Sequence, residues 1–222
     1  MKKALIMMAA LGCSSVSMFA INVQERLEDA ASAMHEIMDT PDRGIPHDLL
    51  NKARCVIIVP SLKKGAFVVG AEYGKGFAVC RSSANGGWGA PAAIVVEGGS
   101  FGFQIGGSAT DAVMLIMNEH GMRELEKDKF TLGADASIAA GPVGRTTTAG
   151  TDVALTAEIL SWSRSKGVFA GVALNGASVR PDHAANLELY GSRLSDHEIL
   201  SGGTQPTPAA HRLIGELDRY SR

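Results

Sequence analysis

Apolar residues recur at helical spacing in Val23, Leu27, Ala30, Ala31, Met34, Ile37 and Met38, while Gln24, Glu25, Arg26, Glu28 and Asp29 fall outside that stripe. The spacing predicts an amphipathic helix with Asn22 as its cap. Its polar side is acidic, whereas a membrane-surface helix carries basic residues there, so the stripe reads as packing against the rest of the chain. Thr40 to Pro46 breaks the helix, and Pro46 suits the first turn of a short helix through Leu49, Leu50 and Ala53. From Cys55 the pattern changes to short β-rich runs: Cys55 to Val59, Ala66 to Tyr73, Gly76 to Arg81, Ala92 to Glu97, Phe101 to Gly107 and Ala112 to Met117. Lys63-Lys64-Gly65, Gly74-Lys75, Asn85-Gly86-Gly87 and Gly98-Gly99 read as the turns between them. A helix is predicted from about His120 to Lys127, then apolar runs at Ala136 to Pro142, Asp152 to Arg164 and Val168 to Leu174. Pro181-Asp182 opens a further helix through Leu187 and Tyr190, and a Gly- and Pro-containing stretch leads to a last helix with Leu213, Ile214 and Leu217.

Helices at both ends of a strand-rich, glycine-rich middle predict an α+β fold. Its sheet should be mainly antiparallel, curved or barrel-like, and packed with the N- and C-terminal helices. The divisions expected are an export signal over 1–20, a folded domain over 21–200, and a linker with the C-terminal helix over 201–222. A length of 222 residues and 45% hydrophobic content are enough for one core.

Charge narrows the range of partners. With 21 basic and 23 acidic residues the chain has no global field for nucleic acid, and 5% aromatic content argues against a base-stacking surface. An anion site must therefore be a local patch. Met1-Lys2-Lys3, the apolar run Ala4 to Leu11 and the small residues that follow have the form of a secretory signal, too short to span a bilayer. The expectation is an exported protein of the periplasm or cell envelope. Two processing routes stay open: cleavage after Ala20, or acylation of Cys13 in the lipobox-like Ala10-Leu11-Gly12-Cys13.

Cys55 and Cys80 form an even pair, each in a predicted strand. In an oxidising compartment such a pair favours a disulfide, with two buried thiols as the alternative. Gly98-Gly99-Ser100-Phe101-Gly102 matches the G-x-S-x-G pattern of serine hydrolases, with Ser100 as nucleophile and His120 or His183 as base. The residues after Ser100 continue as strand where that motif needs a helix, so no enzyme is expected. The histidines at 35, 47, 120, 183, 197 and 211 form no metal-binding spacing, and no nucleotide loop lies between a strand and a helix, so neither metal nor cofactor is expected. Asp111 and Asp135 would need partners if buried, and Arg145 is the candidate.

Six ordered blocks carry a family resemblance: Val59-Pro60-Ser61-Leu62-Lys63-Lys64-Gly65, Gly70 to Gly76, Trp88 to Ala92, Gly99 to Gly107, Leu132 to Ala136 with Ala140 to Arg145, and Ser163 to Val172. The run from Ala53 to Gly191 resembles the SYLF family, a lipid-binding domain found in a yeast cortical actin-patch protein and in secreted bacterial proteins. The resemblance implies a non-enzymatic module for anionic phospholipid, phosphoinositide in eukaryotes, at a membrane surface. On that implication the basic residues expected near turns, Lys63, Lys64, Lys75, Arg81, Arg145, Arg164 and Lys166, become candidate head-group contacts. Lys64-Gly65-Ala66-Phe67 and Lys166-Gly167-Val168-Phe169 repeat one pattern, which would set Lys64 and Lys166 on one rim. A structural envelope protein binding another protein through its sheet edges is a third reading.

Overall fold

The structure is a computed structural model that describes residues 22–40, 44–67, 69–82, 86–101, 106–142, 156–165, 168–171 and 174–221. Among them the expected α+β fold is present. The strands are β1 (Cys55–Phe67), β2 (Val69–Cys80), β3 (Ala92–Phe101), β4 (Gly106–Ile116), β5 (Phe130–Thr131), β6 (Ile138–Ala140), β7 (Ile159–Ser165), β8 (Val168–Gly171) and β9 (Ser178–Pro181). They pair in the order β5-β9-β3-β2-β1-β4-β7-β6, with β8 also on β7. All pairings are antiparallel except β6 with β7, and the sheet curls into a half-barrel.

One half of this sheet is covered on both faces. Val56, Ile58, Phe77, Val79, Val113, Leu115 and Trp162 pack under α1 (Val23–Met38) and its helical neighbours. Cys55, Ile57, Val59, Ile94 and Met114 meet Phe130, Leu132, Leu174, Ile199 and Leu200 on the opposite face. Burial on both faces explains why Cys55 to Val59 and Ala112 to Ile116 are continuous apolar runs without polar alternation.

Helix α1 forms where its stripe predicts. Asn22 caps it by accepting the Gln24 N–H at 2.9 Å, and Leu27, Ala30, Ala31, Met34 and Ile37 are fully buried. Helix α2 (His47–Lys52) and α3 (Glu119–Leu125) follow, then α4 (His183–Tyr190) and α5 (His211–Tyr220). The C-terminal helix packs on the rest of the domain, as the fold reading expects. Leu213 and Leu217 are buried against α1, Arg212 reaches Glu28 and Ser32, and Trp88 Nε1 donates to Ser221 Oγ at 2.9 Å. The C-terminal helix thus completes the same core as residues 22–200.

Three of the expected turns are strand interior. Lys63-Lys64-Gly65 lies in β1, Gly74-Lys75 in β2 and Gly98-Gly99 in β3. In β1 the pairing with β4 slips between Val59 and Leu62, and Ser61 takes a positive φ of 53° while its N–H donates to Asp111 Oδ1 at 3.0 Å. Opposite this bulge, a Cβ on Gly76 would stand 2.1 Å from the Ile58 carbonyl oxygen, and one on Gly74 2.6 Å from Val59 Cγ1. These glycines admit close backbone approach where the strands coil, which a sequence pattern cannot distinguish from a turn. The predicted strand from Phe101 to Gly107 is likewise divided. Phe101 ends β3 against Val69 and Gly106 opens the oppositely directed β4 against Ala66, and residues 102–105 lie outside those described.

Cys55 and Cys80 are register partners on β1 and β2 and form the disulfide, with Cα atoms 3.9 Å apart, closer than the usual range. It joins residues 25 positions apart and sits at the buried end of the hairpin. Replacing both by alanine should lower the free energy of unfolding by about 2–4 kcal/mol, read from urea denaturation. Equal stability in both proteins would show that the bridge adds nothing.

Candidate functional site

Beyond the bulge β1, β2, β3 and β4 run past the covering helices, and their residues become small. Register aligns Ala109, Lys63, Tyr73 and Glu97 in one row across the four strands, with Ser178 of β9 after Glu97. Gly107, Gly65, Ala71 and Gly99 form the next row on the same face, because side chains alternate with a period of two. All four are exposed, as is Ala109. A Cβ on Gly65 would meet nothing within 4 Å, and one on Gly99 only the Gly70 oxygen at 3.9 Å. The result is a bare shelf of backbone and methyl groups.

Two larger side chains border the shelf. Tyr73 is 45% exposed, one of two large hydrophobic residues so placed among the described residues. Its register partner Lys63 is exposed and has no ion pair among the described residues. At the same rim Arg180 grips Glu97 with two hydrogen bonds of 2.9 and 3.0 Å. Those bonds hold the Glu97 carboxyl below its ordinary range and raise the Arg180 guanidinium, so this pair is internally neutralised.

Four of the other expected head-group cations are used inside the molecule. Lys64 Nζ stands 3.0 Å from Glu72 Oε2 across the β1–β2 pair. Lys75 Nζ stands 3.0 Å from Asp182 Oδ2, which Arg26 also holds at 2.9 Å. Arg81 lies 4.3 Å over the Trp88 ring and donates to the carbonyls of Ala53 and Leu50 at the end of α2, an arrangement that burial accompanies by lowering its pKa. Arg164 pairs with Glu36 of α1 and approaches Asp111 at 3.9 Å. Arg145 and Lys166 lie outside the described residues, as does Cys13, so the shared rim of Lys64 and Lys166 is not described. The expected pairing of Asp111 or Asp135 with Arg145 therefore lies outside the described residues; among those described, Asp111 Oδ1 accepts the Ser61 N–H at 3.0 Å and Asp135 Oδ2 the Thr131 N–H at 2.7 Å.

The strand context of Ser100 bears on the hydrolase alternative. Ser100 pairs with Gly70 near the end of β3, and β4 begins at Gly106, where a nucleophile elbow would need a helix. His120 follows β4 at the end marked by the Cys55–Ile116 pair, on the order of 30 Å of strand away. It is held there by Glu158 at 2.6 Å. His183 follows Pro181, which pairs with Ile94. The register therefore keeps both proposed bases away from Ser100.

Sequence reasoning missed Tyr73, since it read Gly74-Lys75 as a turn and took Tyr73 for a strand end. The available signal was its match to Lys63 in a hairpin whose tip lies at Phe67–Val69, but that requires the register in advance.

Residues 97–220, more than half of the chain, match the Ysc84 family, described as "Las17-binding protein actin regulator". The chain belongs to this family. "LAS seventeen-binding protein 3" of Saccharomyces cerevisiae is 34% identical over 180 residues, which are 80% of this chain and 39% of the relative. The human "SH3 domain-containing YSC84-like protein 1" is 30% identical over 206 residues, 90% of this chain and 60% of the relative. A Schizosaccharomyces pombe "SH3 domain-containing protein" is 36% identical over 177 residues, 78% of this chain and 41% of the relative. The chain thus spans between about two fifths and three fifths of these relatives, and the SYLF resemblance agrees with the family match.

Proposed function

We propose that this Ysc84-family chain is an exported, non-enzymatic module that binds an anionic phospholipid surface through the distal shelf of its sheet. The observation that carries the reading is Lys63, an exposed cation with no ion pair among the described residues, beside an exposed tyrosine on a floor of Gly65, Ala71, Gly99 and Gly107. A floor without side chains lets backbone approach head groups closely, and a tyrosine ring suits the membrane–water interface. One lysine supplies a modest, salt-sensitive attraction, so the smooth floor must supply contact area as well. The lysine-rich start of the chain, its short apolar run and the Cys55–Cys80 bridge favour export to the periplasm or envelope.

The relatives' names support a second reading. Proteins named for binding Las17 make a protein partner laid flat on the same shelf the competing occupant. Co-sedimentation with phosphatidylglycerol vesicles separates the two. Lys63→Glu should weaken vesicle binding about five- to thirtyfold, since each basic contact at an anionic surface contributes about 1 kcal/mol. Lys52→Glu changes the charge equally on the exposed last turn of α2 and should leave binding within twofold. Equal losses in both variants, or none in either, would exclude the shelf as the lipid contact.

A further inference from the structure

A second concavity lies at the opposite end of the molecule, between α4 and the segment after it. It encloses about 730 Å³, within the range of small-ligand sites. Ala184, Leu187 and Leu194 form its apolar wall, and Leu187 is 41% exposed, the other large hydrophobic residue left open among the described residues. Two basic side chains share the lining, His183 and Arg193, and neither makes a hydrogen bond or ion pair among the described residues. The one carboxylate in the lining is already engaged. Glu198 Oε2 accepts the Ser195 N–H at 2.8 Å and the Ser195 hydroxyl at 2.7 Å in a capping box, and those bonds hold its pKa down. The supports of the groove are rigid: Asn186 of α4 accepts the Ala93 N–H at 2.7 Å and donates to Asp196 Oδ1 at 3.0 Å, which fixes the helix to β3 and to the following turn. Gly99 lies six positions along β3 from Ala93, so about 20 Å of strand divides this groove from the shelf.

We infer that this groove binds a single-chain amphiphile with an anionic head, its acyl chain along Leu187 and Leu194 and its carboxylate or phosphate on Arg193. An apolar wall beside a guanidinium that has no partner among the described residues matches a ligand that is apolar along its length and anionic at one end. Guanidinium–oxyanion contact fixes orientation, and burial of methylenes against leucine supplies affinity that grows with chain length. A peptide helix would fit the apolar wall without needing one anionic terminus, which the experiment tests through the head group.

The test is calorimetric titration of the full chain with laurate below its micelle concentration, with butyrate and the uncharged monolaurin as companions. Saturable binding of one laurate per chain is expected, with butyrate and monolaurin at least tenfold weaker. Arg193→Glu and Leu187→Asn should each weaken laurate at least tenfold. Both residues are partly or wholly exposed, and unchanged thermal unfolding would show that the variants remain folded. Lys63→Glu should bind laurate as the parent does, and Arg193→Glu should retain vesicle binding, so failure of either site is read separately. No saturable laurate binding, equal affinity for butyrate, equal affinity for monolaurin, or insensitivity to both substitutions would each overturn the assignment.

Discussion

Asp182→Ala is expected to destabilise the fold by about 3–5 kcal/mol, measured as a shift in urea denaturation at neutral pH. Asp182 caps α4 through the Ala185 N–H and accepts Arg26 from α1 at 2.9 Å and Lys75 from β2 at 3.0 Å. Arg26 and Asp182 side chains are only 9% and 7% exposed. Burial raises the carboxyl pKa, but the two cations outweigh it and hold the group below its ordinary value. Removing the carboxylate would leave the Arg26 guanidinium buried, with the Phe77 ring at 5.6 Å as a weak substitute. Because the folded pKa is depressed, this contribution is present above the unfolded value and is lost as pH falls through the folded one. Asp182→Ala should therefore converge on the parent's stability in strong acid. A cost below about 1 kcal/mol at pH 7 would show that the cluster is nearly neutral in the balance.

The second large effect has the opposite sign. Asp196→Asn should stabilise the protein above pH 7, on the order of 4 kcal/mol at pH 8 relative to its effect at pH 4. Asp196 is 3% exposed, and burial pushes its carboxyl up to about 7, with Asp128 adding repulsion and the Asn186 amide opposing. A raised folded pKa means that the native state holds a proton the unfolded chain has already released. Stability from this group is thus present below the unfolded value near 4 and is lost as pH rises to about 7. Asparagine keeps an oxygen for the Asn186 Nδ2 without a charge to bury. The measurement is the stability difference between parent and variant from pH 4 to pH 8.5, where a flat difference would show that Asp196 ionises normally.

Two aspartates near one helix therefore behave oppositely for reasons the local sequence does not contain. Asp182 meets an arginine 156 positions earlier in the chain, while Asp196 meets the Asn186 amide and the repulsion of Asp128. The same limit applies to the candidate site. Lys63, Lys64 and Lys75 look alike as lysines within two positions of a glycine, yet the shelf leaves Lys63 open, while register sets Lys64 against Glu72 and packing sets Lys75 against Asp182. Electrostatic roles depend on distances of a few ångströms, which only the folded chain defines.

What the sequence by itself determined is the part governed by short-range periodicity and by chemistry that needs no partner coordinates. Helix α1 and its cap follow from a 3.6-residue stripe and Asn22, and the last helix follows from Leu213 and Leu217. The α+β class follows from strands between terminal helices, and the family from six ordered motifs. Cys55 and Cys80 stood out in the sequence as a candidate pair with two buried thiols as the alternative, and the β1–β2 register decided for the bridge. Only the tertiary structure decided that Gly74, Gly98 and Gly99 lie within strands, that Ser178–Pro181 inserts between β5 and β3, and that the C-terminal helix closes the core on α1. Glycine permits both a turn and a close strand crossing, and the choice between them lies with the neighbouring backbone: the Ile58 carbonyl, 2.1 Å from where a Gly76 side chain would begin, belongs to a different strand.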